Sequence, residues 1–460
     1  MIQTDYPPAY PTQPEVADEY DVIVIGGGPA GATTAALVAE AGHRVLVLER
    51  ESVPRFHVGE SLIPECYRAL DRLGLVERLE RSSFTPKYSV QFVSDGYKYS
   101  APFYFTEHPP YVEDGGAPKT WQVERGEFDK LLLDRAIELG ATLRTDAQVM
   151  GVLFHDADGN QTPPSLDGTV KGVTVRFKSD ADQTPREIRC RVVADASGQA
   201  AYLSNRLKIR EPDDRLKKAT VWTYWQNAER DPGRDEYATI ILQTEGKKSW
   251  FWYIPLQDNV VSVGCTGDLD DMFGDGSSPE QAYQRELSRC PALQARLTDA
   301  TNLHGYHSTK DFSYYSSRAA GNGWVLVGDA FGFIDPCYST GVFLALHGGM
   351  VVADAINAAL DRDELTEATL GGWKDRYKAG VENFRKLVYA FYTPDFSFAD
   401  FFRQYPQYRV NMTDILVGNV FKPGVGEIFD AMGDVRPPSA AEKKAAEKRA
   451  AAAPSTAVLR

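Results

Sequence analysis

The chain has little of what announces a metal centre, a membrane span or a polyanion partner. Its 460 residues hold five cysteines and seven histidines. Cys66, Cys190, Cys265, Cys290 and Cys337 are scattered without a C-x-x-C pair, and no histidines stand at H-E-x-x-H spacing. Structural and catalytic metal sites depend on such spacings, so no metal is expected. The thiols are expected to be reduced and buried, as in a cytoplasmic protein. Basic residues are in deficit, 50 Lys and Arg against 64 Asp and Glu, for a net charge of -14. That balance argues against nucleic acid or an anionic membrane as the main partner. No apolar run approaches the roughly 20 residues of a membrane helix. The opening stretch MIQTDYPPAYPTQPEVADEY has neither the basic start nor the apolar centre of a secretory signal. What remains is an ordinary globular composition, with a length that calls for two to three cores or one composite unit.

Residues 20 to 50, YDVIVIGGGPAGATTAALVAEAGHRVLVLER, read as a buried strand, a tight glycine turn, a helix stopped near Gly42 and a second buried strand. Gly26, Gly28 and Gly31 form G-x-G-x-x-G, and Glu49 follows Gly31 by 18 residues. In this βαβ setting the pattern predicts a dinucleotide site. Gly26 permits the turn, Gly28 admits a pyrophosphate, and Gly31 lets helix and strand close. The helix N-terminus beside Ala30 favours phosphate, while Glu49 and the neighbouring Arg50 face the ribose end.

Two distant stretches extend this grip and favour FAD over NAD. WVLVGDAFGFIDP (324–336) presents Gly328, Asp329 and Pro336 after a buried strand. VVADASG (192–198) ends a strand with Asp195 and Gly198. Arg125, in QVERGEFDKLL, is a further cofactor contact. Between residues 220 and 267, TVWTYWQ, ATIILQT, WFWYIPL and VVSVGCTG alternate with polar or glycine turns, which predicts a mostly antiparallel sheet. One of these segments, SWFWYIP, is aromatic on both faces. Trp250, Trp252 and Ile254 share one side, Phe251 and Tyr253 the other, so both sides are expected to be buried.

GGGPAG, the Arg125 segment, DASG and GDA together resemble the FAD-dependent monooxygenase superfamily of the hydroxybenzoate-hydroxylase type, over about residues 18–360. Within it, PRFHVGESLIP (54–64), IDPCYSTGV (334–342) and the W-x-W-x-I-P formed by Trp250, Trp252, Ile254 and Pro255 resemble the flavin-dependent halogenases. FYTPDF and DILVGNVF resemble their C-terminal helical part.

The resemblance implies FAD used as FADH2, a chloride or bromide ion on the backbone amides of Thr340 and Gly341, and hypohalous acid made at the flavin. It further implies a tryptophan strand that keeps substrate from flavin, and a lysine that delivers halogen, here Lys87. Two positions depart from the pattern. Ser89 stands where many relatives have glycine, and Tyr338 where tryptophan halogenases have glutamate. The second departure points to phenol or pyrrole substrates, free or bound to a carrier protein. A substrate-deprotonating base is to be sought among Glu, Asp or His of the 90–120 region. No second nucleotide fingerprint is visible, which implies a separate NAD(P)H-dependent flavin reductase.

The expected fold is an α/β composite: a Rossmann-like FAD-binding domain, an inserted mostly antiparallel substrate-side sheet, and a C-terminal helical region. The boundaries run 1–18 (flexible leader), 19–90 with 120–215 and 318–360 (FAD-binding), 91–119 with 216–317 (substrate side), 361–435 (helical) and 436–460 (disordered tail). An aromatic hydroxylase, a geranylgeranyl-type reductase and a non-enzymatic flavin module are the competing readings.

Overall fold

The computed structural model describes residues 7–109, 118–180, 183–303, 305–439, 441–443 and 445. The predicted βαβ unit is present as Glu19–Ile25, Pro29–Glu40 and Val45–Leu48, with the two strands parallel. It sits in a mixed sheet. Thr142–Arg144 lies outside Val45–Leu48, and Arg186–Asp195 pairs parallel with Glu19–Ile25 on the other side. Trp324–Leu326 joins the far end of Arg186–Asp195 in parallel. An antiparallel meander, Ala147–His155 with Thr169–Phe177, extends the same sheet. Every residue of Val45–Leu48 is buried, as a parallel strand covered on both faces requires.

The helix Thr340–Arg362 crosses Pro29–Glu40 at close range. A Cβ on Gly349 would lie 2.8 Å from Thr33 Cβ and 2.9 Å from Ala30 O. This helix alone, among the described residues, is long and apolar enough to cross a membrane, yet 61% of its apolar stretch is buried against the rest of the chain. Its glycines, His347 and Asp354 interrupt the apolar run that a reading of the sequence looks for.

The second sheet runs Thr301–Asn302, Lys218–Gln226, Val260–Asp268, Ser249–Pro255, Thr239–Gln243, Ser89–Val93, Phe103–Tyr104. It is antiparallel as expected, except that Thr239–Gln243 and Ser89–Val93 run parallel. Ser89–Val93 belongs to this sheet, so the junction between the two sheets falls just after Lys87. All seven residues of Ser249–Pro255 are buried. Trp250, Trp252 and Ile254 pack into the large core shared with the sheet that carries Glu19–Ile25. Phe251 and Tyr253 pack into a separate core with Met272, Tyr283 and Leu293. Gly264, opposite Trp252 in the neighbouring strand, makes room for the indole: a Cβ there would sit 2.1 Å from the ring.

Both chain ends are more engaged than the composition suggests. Ala9 N donates to Val53 O, Tyr10 OH to Asp134, and Gln13 to Thr145. Val16 is buried, so residues 9–16 of the expected flexible leader are tied down by specific polar contacts. Residues 436–439 and 441–443 are likewise docked through Arg215–Glu442 and Lys443–Asp268. Residues 1–6 and most of the expected disordered tail lie outside the described residues, as do 110–117 of the region searched for a base.

Candidate active site

The glycine turn folds as its spacing requires. Gly26 has φ +104°, and a Cβ there would stand 2.4 Å from Ala196 O. Gly31 would bring a Cβ to 2.0 Å from Gly26 O. These two glycines are demanded by the chain itself. Gly28 is different: a Cβ would meet only Arg55 Nη2, at 3.6 Å. The turn is therefore open to a ligand at Gly28, above a helix that begins with no side-chain cap. Bare first-turn amides at an open glycine suit a pyrophosphate.

The distant motifs gather on this turn. Gly328, at φ +58°, would bring a Cβ to 2.8 Å from Ala30 Cβ, so the GDA loop rests on the glycine turn. Glu49 is buried, accepts from Gly27 N (2.8 Å) and Glu51 N (3.0 Å), and has Arg55 within 3.8 Å. Arg50 points outward beside Glu51. Arg125 donates to both oxygens of buried Asp129 (2.8 and 3.0 Å) and to Val58 O (2.6 Å), so it anchors the 55–59 segment. Burial pushes the Asp329 carboxyl up to about 7, and Arg125 opposes the shift. Asp195 departs from the expectation. Its carboxylate accepts from Ser197 N and Leu203 N and is fully buried, so it shapes the loop rather than facing a nucleotide. Gly198 takes φ +63° in that loop, with nothing near the place of its missing Cβ. An open cradle at Gly28, a buried acid at Glu49 and the GDA loop on Ala30 fit an extended dinucleotide such as FAD.

Farther along, Pro336 accepts from Ser339 N, and Ser339 takes φ +57° to start the helix at Thr340. Thr340 is buried, and Gly341 lies under Phe333, 3.3 Å from the place of its Cβ. The first-turn amides here have no intrahelical acceptor and no side-chain cap, an arrangement that suits a halide.

Lys87 is 4% exposed. Its Nζ donates to Leu62 O at 3.0 Å and lies 5.5 Å from the Phe105 ring centre. Among the described residues no carboxylate is within ion-pair distance of it. Burial holds its ammonium down at about 7. A buried lysine without a carboxylate weakens the fold. The unfolded chain keeps the proton up to its ordinary 10.5, and the folded chain releases it near 7. The unfolded state thus binds more protons between pH 7 and 10.5, and stability rises with pH across that window. Lys87→Met is expected to be more stable than wild type by roughly 3–5 kcal/mol at and below pH 7, with the gap closing as pH approaches 10.5. Urea unfolding of the two proteins across this range measures it; an unchanged gap contradicts the burial.

Further buried acids and bases lie in the structure; Glu60 and Asp335 were not singled out from sequence, whereas His108 falls within the 90–120 stretch named for a base. Glu60 is buried and accepts from Tyr224 OH at 2.6 Å; burial raises its carboxyl. Asp335 is buried and accepts from Tyr392 OH at 3.1 Å, and burial pushes it up to about 7. His108 and Asp414 form a buried pair at 2.9 Å, which Lys422 joins. Glu60 and Asp335 lie inside motifs already singled out, in VGES and IDP. Their partners are too far away in sequence for spacing to reveal.

A family model described as tryptophan halogenase matches residues 21–114 and 113–409. A 1H-pyrrole-2-carbonyl-[peptidyl-carrier protein] chlorinase of Pseudomonas fluorescens is 27% identical over 436 residues, covering 91% of this chain and 93% of that protein. A flavin-dependent halogenase of Armillaria mellea is 34% identical over 364 residues, 75% of this chain and 69% of its own length. The solved structure of a myxobacterial chondrochloren halogenase, described as a variant of FAD-dependent halogenases, superposes with a TM-score of 0.74 at 30% identity, covering 90% of this chain and 96% of that one. The match runs through the glycine turn, the tryptophan strand and the Thr340 helix alike, and the chain belongs to the tryptophan-halogenase family of FAD-dependent halogenating oxidoreductases.

Proposed function

We propose that this halogenase acts on an electron-rich aromatic of the phenol or pyrrole type, free or carrier-bound, and that Lys87 delivers the halogen. The observation that carries the reading is Lys87 itself: a lysine 4% exposed, held on a backbone carbonyl and beside an aromatic ring. Bound in its reduced form, FAD supplies the electrons with which oxygen and halide are converted to hypohalous acid. The amides of Thr340 and Gly341 hold the halide without adding charge. Trp250 and Trp252 keep the aromatic away from the flavin and exclude bulk water.

The Lys87 Nζ then hydrogen-bonds hypohalous acid and steers it, or attacks its halogen as a neutral amine; the O–halogen bond breaks, the hydroxide takes the proton lost from nitrogen and leaves as water, and a haloamine remains. With the ammonium poised near 7 both forms exist at neutral pH, and the pH profile tells them apart. Steering by the cation fades above about pH 7; the amine route rises through it. Tyr338, buried where tryptophan halogenases carry glutamate, supports a substrate other than tryptophan. The carrier-bound pyrrole in the name of the chlorinase relative supports the same class.

Reduced flavin comes from a separate reductase. The test is mass spectrometry of reactions containing a flavin reductase, NADH, halide and a panel of phenols, pyrroles and indoles. Products with halogen isotope patterns from phenols or pyrroles are expected, with only slow NADH oxidation when the reductase is omitted. Products gaining oxygen alone, or rapid NADH oxidation by the single protein, overturn the reading.

A further inference from the structure

Each indole of the tryptophan strand is tethered through a hydroxyl to a buried acid, and the two tethers lead to opposite ends of the site. Trp250 Nε1 donates to Tyr392 OH at 2.7 Å, and Tyr392 OH donates to Asp335 at 3.1 Å. Asp335 also accepts from Cys337 N at 2.9 Å, three residues before Thr340. A second link runs beside this one. Trp250 packs edge-on against Phe391 (6.0 Å between ring centres), and Phe391 against Tyr338 (5.9 Å), two residues before Thr340. Trp250 is thus bound twice to the loop that opens the halide helix.

Trp252 goes the other way. Its Nε1 donates to Ser262 Oγ at 3.1 Å, and Ser262 Oγ stands 3.5 Å from Glu60. Glu60 lies two residues before Leu62, whose carbonyl holds Lys87. The two indoles are 6.2 Å apart. Two indoles two positions apart therefore link one stretch of strand both to the halide loop and to the lysine segment.

The tethers differ in origin. Ser262 belongs to the neighbouring strand of the same sheet, and Glu60 to a flavin-side segment. Tyr392 is the last residue of the C-terminal helix Lys374–Tyr392. Lys218, paired with Asp268, lies 3.7 Å over the Tyr392 ring and closes that corner. Trp250 is 1% exposed, so its N–H has no water to turn to when the tyrosine oxygen is removed. An unsatisfied buried donor is costly, so loss of the tyrosine oxygen drives the indole to shift.

We propose that Tyr392 is a positioning residue of the halogenation reaction: anchored on Asp335, it holds Trp250 against the halide loop and so keeps halogen chemistry coupled to the aromatic substrate. The inference rests on the function proposed above and adds to it a residue from the C-terminal region. Tyr392 acts through Trp250, not on the reacting atoms.

The experiment uses full-length protein loaded with FAD, a flavin reductase, halide, a substrate that the wild type halogenates, and an external scavenger of free hypohalous acid. The ratio of halogenated product to FADH2 consumed is measured, with scavenged halogen and hydrogen peroxide. Tyr392→Phe keeps the ring and removes the oxygen. It is expected to lower that ratio about tenfold, with the missing equivalents recovered as peroxide or scavenged halogen. Asp335→Asn retains an acceptor for Tyr392 and is expected to stay within threefold of wild type; Asp335→Ala is expected to follow Tyr392→Phe. Ultraviolet resonance Raman difference spectra of the protein without FAD report the indole N–H bond directly. Tyr392→Phe must show one tryptophan with a weakened hydrogen bond.

An unchanged product ratio in Tyr392→Phe, or an unchanged indole spectrum, overturns the proposal. Equal loss in Asp335→Asn and Asp335→Ala also overturns it, because the carboxyl would then act through its proton. If wild type yields no oxidised halide with any substrate, the function proposed above fails instead, and the Raman result still decides whether the tether exists.

Discussion

Lys87→Met is expected to lower halogenated product by about 10²–10⁴-fold, the range typical of a positioned proton donor or base, while FAD binding is retained. The side chain is buried between Leu62 O and the Phe105 ring. Methionine keeps the unbranched stem and most of the packing and removes the nitrogen. Misfolding is separated from lost chemistry by unfolding the variant alongside the wild type, because relief of a buried cation is expected to raise its stability. Loss of product in a protein that unfolds later than wild type is the signature of a residue retained for chemistry. Product within a few-fold of wild type, measured by mass spectrometry under reductase-supplied FADH2, contradicts the role of Lys87.

The second large effect is at Gly28. Gly28→Val is expected to lose FAD almost completely and to fold. Its φ of -76° suits any residue, and its Cβ meets only the end of Arg55. The valine then occupies the space from which a pyrophosphate approaches the bare amides of Pro29–Glu40. Gly31→Ala makes the contrast, because its methyl would collide with Gly26 O and disturb the turn itself. Absorbance of bound flavin together with circular dichroism separates the two. Gly28→Val at wild-type FAD occupancy means that the cofactor lies elsewhere.

The parts of this fold that depend on neighbouring residues were legible in the chain. Glycines at fixed offsets and the buried run of Val45–Leu48 both act within a few positions. The double burial of Ser249–Pro255 was legible for the same reason: alternation puts bulky rings on both faces. The meander of Ala147–His155 was missed, since its pattern is broken by exposed Met150 and by a register shift against Thr169–Phe177.

In the site, Lys87 could be named from its motif, but its burial could not, because Phe105 and Leu62 close over it from elsewhere in the chain. Asp195 looked like a ligand because it ends a strand near the glycine turn. Two amides beyond it, Ser197 N and Leu203 N, take its oxygens. Tyr392 lay within a quoted stretch, yet its meaning comes from Trp250, 142 residues earlier.

The strand Ser249–Pro255 is clamped between two cores on its faces, and its two indoles are each linked to a buried acid. Such a segment has no cheap local opening, for its breathing requires separating both cores at once. On the function proposed above, such a strand would select by size and not by a timed gate, passing a two- or three-atom oxidant beside the indoles and refusing an aromatic ring. Selectivity of this kind would need no signal that substrate has arrived, so the oxidant would cross whether or not an acceptor is waiting. The burden of avoiding waste would then fall on how long Lys87 can detain it.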